Sequence, residues 1–508
     1  MRQEEMPVAT AHVEERELLQ AMTWYDGFVV ALANPSFLLT SLGLSVLSLG
    51  GWGAIIVWSI SVIIGGLHNN IYAEVAAMFP KLSGGVAVYA HEAWKRYTTF
   101  FGPIAAVGYW LGWSVVLALN SVIVGGLLIG EFWSDATWGT THNELILGID
   151  FDASPAIWIG AVIILGIWMA NVFGVRPAVW TGYVTGACLL IPLAVVIFLP
   201  YITGDFDSAN LTNKIDWGAT GATGWQLVIG WLYIMCWSSY GFECCASFAP
   251  EYHDPAKDTA KALRAAAIFC IFVYALFPLG AIGTFGDQNI TVENALTFYK
   301  DVFDELLGGG SSIMVLLLCA GITLSMNTAT MDGSRALYGI SQDGMTIRWL
   351  GKLNRNNVPG NAMTLDAVLN LGLLFLAVGV AGSGYLRILA VSNFGYVLSH
   401  ILAISGFLLL RRDRPGWPRP IKLGKIWIPI AMFCIAYDCV LLVIGSWSGA
   451  VTGYDAPGSH TSLIWAIGVL VVAVLLYIYR VIVEDKTSIP MRIETPTMPE
   501  ETVPVRQA

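Results

Sequence analysis

Charge is scarce in this chain. Asp, Glu, Lys and Arg make up 12% of its 508 residues, about half the roughly 25% of an ordinary globular domain. So few water-facing side chains cannot cover a core drawn from 56% hydrophobic residues, which excludes a soluble protein and makes the bilayer part of the solvent. Basic charge is scarcer still: 26 Lys and Arg stand against 36 Asp and Glu, a net charge of −10. No basic patch large enough to neutralise phosphates is available, so no nucleic-acid partner is expected. The eight cysteines, Cys188, Cys236, Cys244, Cys245, Cys270, Cys319, Cys434 and Cys439, all fall in apolar stretches. Neither a disulfide framework nor a metal site follows from that placement, and no cofactor is expected. The absence of a charge ring or a filter-like repeat disfavours a channel.

What the chain does have is long uncharged runs. Against the roughly 20 residues needed to cross the hydrocarbon, twelve spans are read at 26–49, 52–79, 103–130, 156–174, 178–202, 225–250, 265–286, 310–331, 362–380, 385–410, 426–446 and 461–480. The first uncharged run, Gly27 to Leu67, would be roughly 60 Å long as one helix, twice the membrane thickness. It must turn, and Gly50-Gly51 is where the sequence predicts that turn. With the N-terminus inside, all Lys and Arg except Lys214, Lys300 and Arg387 fall on the inner side, as loops retained in the cytoplasm require. The outer loops instead hold Glu131, Asp135, Glu144, Asp150, Asp152, Asp205, Asp207 and Asp216. The chain is thus expected to be a multi-pass protein of the cytoplasmic membrane with both termini inside. Residues 1–25, rich in Glu, read as a cytoplasmic tail and no cleaved signal. Residues 481–508, with Pro490, Pro496, Pro499 and Pro504, read as a disordered cytoplasmic tail.

A spanning helix must satisfy its own backbone, so a sequence that defeats helix geometry at mid-membrane is informative. Span 1 contains Ala33-Asn34-Pro35-Ser36-Phe37. Pro35 cannot donate to the ladder and pushes Asn34 toward extended geometry, while Asn then Pro suits an N-cap and first helical position. One helix ending and another starting is one reading; a simple proline kink is the other. Span 6 contains Trp237-Ser238-Ser239-Tyr240-Gly241, with Glu243 two residues on. A carboxylate at helix centre costs about 2.5–3.5 kcal/mol on insertion scales, so Glu243 should face a cavity or a partner; the plainer alternative is interhelical glue. Broken first and sixth spans are corresponding positions in a bundle of two five-helix halves, 26–202 and 225–410, followed by two more helices, 426–480. The amides opening the second half-helices, near Ser36 and Phe242, would face an anionic group and the carbonyls closing the first halves a cation.

Three stretches then resemble the amino acid/polyamine/organocation permease superfamily. Tyr72-Ala73-Glu74 through Phe79-Pro80, Ser83-Gly84-Gly85 and Tyr89 is similar to its "Y-x-E-L-x-x-x-F-P-x-x-G-G-x-x-x-Y" signature. Gly241-Phe242-Glu243 with Pro250-Glu251, Asp254-Pro255 and Arg264 is similar to its sixth span and following loop. Ser334-Arg335-Ala336-Leu337-Tyr338 with Asp343-Gly344, and Pro418-Arg419-Pro420, resemble its eighth-span exit and "R-P" loop. The resemblance implies an all-α membrane protein with twelve transmembrane helices, a LeuT-like five-plus-five inverted repeat plus two helices, and secondary transport by alternating access. It implies that Ala33 to Phe37 and Ser238 to Gly241 line a substrate site, that Trp237 acts as a lid, and that Glu243 couples protonation to movement. Glu74 would be a gate or scaffold residue, or equally an end-of-helix acid that snorkels. Ser325, Asn327 and Thr328 would help hold sodium, or else pack helices. Two departures stand out: Pro35 replaces one of the amides that many members aim at a substrate carboxylate, and span 5 has no Lys of the kind some proton-coupled members use.

The expected activity is cation-coupled uptake, by proton or sodium, of an amino acid or related amine. An uncoupled exchanger, or a permease for an amino alcohol or polyamine, is the alternative. An intramembrane enzyme would need an acid and base facing one cavity. His68, His400, Asp438 and Glu243 lie on four different spans and are expected to be separate bundle hydrogen-bonders.

Overall fold

The computed structural model describes residues 20–138, 141–146, 149–379 and 384–495. Among them, ten helices are long and apolar enough to cross a membrane uninterrupted. The remaining two spans, the first and the sixth, are the ones whose sequence breaks the helix. Span 1 is assembled from Trp24–Ala31, Asn34–Leu38 and the start of Leu42–Met78; span 6 is Trp225–Tyr240 continued by a 3-10 stretch, Gly241–Glu251. With these the described residues form twelve spans, all of them helical. A short antiparallel hairpin, Thr141–Ile146 with Ile149–Ala153, is set in the loop between spans 3 and 4.

The turn between spans 1 and 2 falls where the length argument requires it. Gly50 has φ 74° and ψ 170°, a region only glycine enters readily, and a Cβ there would lie 2.7 Å from the Thr212 carbonyl oxygen. Beyond it, span 2 packs along span 7 (Pro255–Phe285), span 8 (Ser311–Gln342) against span 5 (Val175–Thr203), and span 10 (Gly384–Asp413) against span 3 (Phe101–Phe132).

Three boundaries differ from the hydropathy reading, and each has a polar cause. Span 8 runs to Gln342, well past 331, because Arg335 in its extension finds a buried partner, Glu251. Span 7 begins at Pro255, where the Asp254 side chain accepts from the Lys257 amide at 3.4 Å, a polar cap that hydropathy does not register. The C-terminal tail is docked where it is described: Thr99 N donates to Met491 O at 3.2 Å and Ile493 N to Lys95 O at 2.9 Å. Likewise Ala21 N and Met22 N both donate to Glu251 O, at 3.0 and 2.9 Å. Residues 1–19 and 496–508, the rest of both expected tails, lie outside the described residues.

Candidate functional site

Pro35 removes a donor from span 1, and the helix responds by tightening. Ala33 N bonds Val30 O at 3.3 Å and Ser36 N bonds Ala33 O at 3.1 Å, three-residue closures of the 3-10 kind. This corrects the expected geometry in two respects. Ala33, which precedes the restarted helix, is in the right-handed helical region, and Asn34 is inside that helix with no side-chain cap. The Ser36 amide is consequently occupied and does not stand free for an anion.

Carbonyls around the break are met by hydroxyls from three other spans. Thr328 Oγ1 of span 8 donates to Val30 O at 3.0 Å, and Ser238 Oγ of span 6 to Phe37 O at 2.8 Å. Tyr274 Oη of span 7 lies 2.9 Å from Asn34 O and 2.8 Å from Ser238 O, and it accepts from Asn34 Nδ2 at 3.2 Å. One phenol thus ties both broken spans together. The tyrosine was not singled out in the sequence, where an aromatic in an apolar helix reads as packing.

Span 6 tightens too. Its 3-10 stretch is eleven residues long, against the usual three or four, the mark of a hinge or a strained segment. Gly241 opens it because the breaks touch there: a Cβ would sit 2.5 Å from Asn34 Oδ1 and 3.1 Å from the Phe37 ring. Around this crossing Phe37, Gly112, Trp113, Val116, Trp237, Gly241 and Tyr396 enclose a gap of about 10 Å³, room for about one water. Phe37 meets the Trp113 and Trp237 rings at centroid distances of 5.5 and 5.3 Å, and Trp237 Nε1 donates to Gly112 O at 2.7 Å. Asn34 Oδ1 and Trp113 Nε1 are buried there without a hydrogen-bond partner.

Of the residues expected to line a substrate site, Phe37, Trp237 and Gly241 line this gap. Ala33 and Pro35 are buried behind it, and the Ser36 hydroxyl turns back to Ala33 O at 2.6 Å. Ser239 meets Ser61 of span 2 at 2.6 Å, and Tyr240 Oη donates to Asp438 of span 11 at 2.7 Å. Gly112, Trp113 and Val116 of span 3 and Tyr396 of span 10 were missed; the aromatic run Tyr109-Trp110 with Trp113 was the available signal.

Glu243 lies beneath this gap, fully buried. Its Oε1 accepts from Tyr396 Oη at 2.6 Å and lies 3.8 Å from His400 Nε2, while Oε2 has no partner. His400 Nδ1 is 2.6 Å from Tyr72 Oη, and its ring stacks on His68 at 5.7 Å. His68 Nε2 is in turn 3.5 Å from Asp438 Oδ2. The four groups expected to be separate therefore form one buried cluster. They lie on helices far apart in sequence, so spacing along the chain carries no sign of it.

Glu74 is fastened into a scaffold. Its carboxylate accepts from Arg411 Nε at 3.0 Å and from Leu423 N at 2.7 Å, and Arg419 Nε is 3.3 Å away. These contacts pin the end of span 2 to the segment after span 10 and leave no snorkelling. Ser325, Asn327 and Thr328 point three ways: to Asn120 of span 3, to Asn171 and Ala178 O of spans 4 and 5, and to Val30 O of span 1. On the cation-rich face a vestibule of about 810 Å³ is lined by Pro80, Ser83, Pro250, Asp254, Tyr338 and Asp343, among others. Below it, Gly84 N and Ser83 Oγ close on Ser247 O at 3.3 and 3.2 Å, and Arg335 pairs with Glu251.

Two interrupted helices framing a closed mid-membrane gap, with a vestibule above one side, are the layout of a carrier that moves a small solute across a bilayer. Comparison with known families agrees: a model described as "Amino acid permease" matches residues 26–479. The chain belongs to that family and is a transporter, not an enzyme. It is 25% identical to the lysine-specific permease LysP of Escherichia coli (strain K12) over 75% of this chain and 78% of the relative. A D-serine/D-alanine/glycine transporter of E. coli O6:H1 is 22% identical over 71% and 77%. A putative histidine permease of Bacillus subtilis (strain 168) is 20% identical over 92% and 94%.

Proposed function

We propose that this permease imports an amino acid or related amine across the plasma membrane, coupled to protons, with the cation-rich face and both termini in the cytoplasm. The observation that carries the reading is the closed gap where the two breaks cross, walled by Phe37, Trp113, Trp237 and Tyr396 with Glu243 behind Tyr396. Relatives that carry lysine, histidine and small amino acids by name support the substrate class. Aromatic faces attract an ammonium group, whereas Pro35 has no amide and that of Ser36 is occupied. The substrate's amine is therefore its main handle, held in the aromatic box.

Movement follows from the two tightened segments and the latch beneath them. Binding opens the gap from about 10 Å³ by lengthening the 3-10 turns. Separation of Ser83-Gly84 from Ser247 and of Arg335 from Glu251 then releases solute into the vestibule. The two halves 26–202 and 225–410, related as inverted repeats, rock around the fixed site. One proton moving inward down 100 mV gains about 2.3 kcal/mol, worth roughly 50-fold accumulation. Glu243 is the group that takes up that proton, which removes a charge otherwise costly to bury. Ser325, Asn327 and Thr328, pointing apart, support sodium less well.

A thermal-shift screen of purified protein against amino acids, amino alcohols and polyamines tests the site. A true ligand at 100 times its Kd stabilises by about 2.7 kcal/mol, and Trp113→Ala should abolish that shift. A shift that survives Trp113→Ala would move the site elsewhere. The second reading, uncoupled exchange, is favoured by the absence of Lys from span 5; uptake that needs internal substrate and ignores ionophores would select it.

A further inference from the structure

Among the buried carboxylates besides Glu243 is one, on span 11, that neither the gap nor the gate uses. Asp438 of span 11 is fully buried. Its Oδ1 accepts from Tyr240, its Oδ2 has no hydrogen-bond partner, and His68 Nε2 stands 3.5 Å from that oxygen. Neither nitrogen of His68 is satisfied, nor is Nε2 of His400. Two carboxylates, Glu243 and Asp438, thus bracket a stacked pair of imidazoles, with an unpartnered polar atom on each of the four groups. Hydrogen-bonding glue alone would be met by Asn and Gln; this site places acids and imidazoles there and leaves part of their hydrogen-bonding capacity unfilled.

The surroundings supply no fixed positive charge. Asp438 faces Tyr240 and Cys236 of span 6 and His68 and Tyr72 of span 2, with His400 of span 10 behind His68; Cys434, Tyr437 and Cys439 flank it on its own helix. Glu243 faces Tyr396 and His400 of span 10, Tyr109 of span 3, Tyr72 of span 2 and Asp332 of span 8, beside its neighbours Cys244 and Cys245. Among the described residues no Lys or Arg pairs with either acid. A carboxylate sealed from water without a cation is relieved by a proton, and two such groups on either side of an imidazole pair influence each other's protonation electrostatically.

Both acids also bear on one hinge. Tyr240, bonded to Asp438, is the last residue of the α-helical part of span 6; Glu243 lies just past Gly241 in the 3-10 part. Three residues beyond Asp438, span 11 itself changes to a π turn, Leu441–Gly445, a local irregularity common at functional sites.

We propose that Asp438 and His68 form a second proton-binding site, coupled to Glu243 through His400 and across the span 6 hinge. Its part in transport rests on the reading of Glu243 as the coupling acid. The test is pH-difference infrared spectroscopy of the full chain in lipid nanodiscs, following the C=O stretch of protonated carboxyl groups with the proton itself as probe. Asp438→Asn should remove one titrating component and move the midpoint of the Glu243 component by at least about one pH unit. His68→Gln, which keeps both acids, should move the Asp438 component by a similar amount and serves if the first variant does not fold. An unchanged spectrum in Asp438→Asn, or a remaining component whose midpoint stays in place, overturns the proposal, as does an unmoved Asp438 component in His68→Gln. Failure of the Glu243 reading shows in a different measurement, as pH-dependent uptake that survives Glu243→Gln.

Discussion

At the residue scale, the proposed function rests on polar groups that the apolar spans leave exposed to one another. Tyr274 is the clearest case, a single hydroxyl within 2.9 Å of carbonyls from both broken spans. Tyr274→Phe strands those acceptors in the core and should lower stability by about 1–3 kcal/mol, read as a reduced melting temperature in detergent. Glu243→Gln keeps a partner for Tyr396 but cannot take up a proton. It should abolish pH-dependent accumulation in proteoliposomes while exchange remains, and accumulation unchanged by the variant would remove Glu243 from coupling. Legibility at this scale was partial. Pro35 and Glu243 could be read because a proline or an acid inside a span violates a rule of the bilayer. Trp113, Tyr274 and Tyr396 break no rule, so nothing distinguished them from packing aromatics. His68 and Asp438 did stand out, but their meeting depends on helix packing that no local pattern encodes.

At the element scale, breaks and turns decide the geometry. The Asn34-Pro35 and Ser238 to Gly241 interruptions were legible, yet the expected extended backbone is replaced by tightened 3-10 turns, since hydroxyls from spans 6, 7 and 8 satisfy the loosened carbonyls. Gly50 was legible from length alone. Gly50→Ala forces a side chain into a conformation costing about 1–3 kcal/mol and against the Thr212 carbonyl, so a comparable loss is expected in the same melting assay. Helix ends were least legible, because the Arg335–Glu251 pair and the docked segment at Met491 and Ile493 are tertiary contacts. Between spans 2 and 3, the helix Gly85–Trp94 carries Glu92. Burial works to raise its pKa, but Lys95 and then Arg414 hold it below the ordinary carboxylate range. A depressed carboxyl contributes stability above its unfolded value that is lost as the pH falls through the folded one. Glu92→Gln should therefore be less stable at neutral pH and lose part of the wild-type dependence on acid, measured by melting across pH.

At the scale of the whole molecule, a few charges organise a largely apolar body. The three cations expected outside each find a partner near span ends on one face: Lys214 Nζ donates to Leu47 O at 3.0 Å, Lys300 meets Asp304 at 2.7 Å, and Arg387 lies 3.5 Å from Asp455. On the opposite face, Arg411, Arg419 and Arg335 fasten the span ends around Glu74 and Glu251. The gap between the two breaks is shut, so under the proposed mechanism these faces open in turn. The most direct test is uptake of the best-stabilising amino acid or amine into proteoliposomes under an imposed inward proton gradient. If the gap is a proton-coupled substrate site, solute accumulates well above its external concentration and the gradient's collapse by an ionophore releases it. Uptake that only equilibrates, with or without the gradient, would contradict that mechanism.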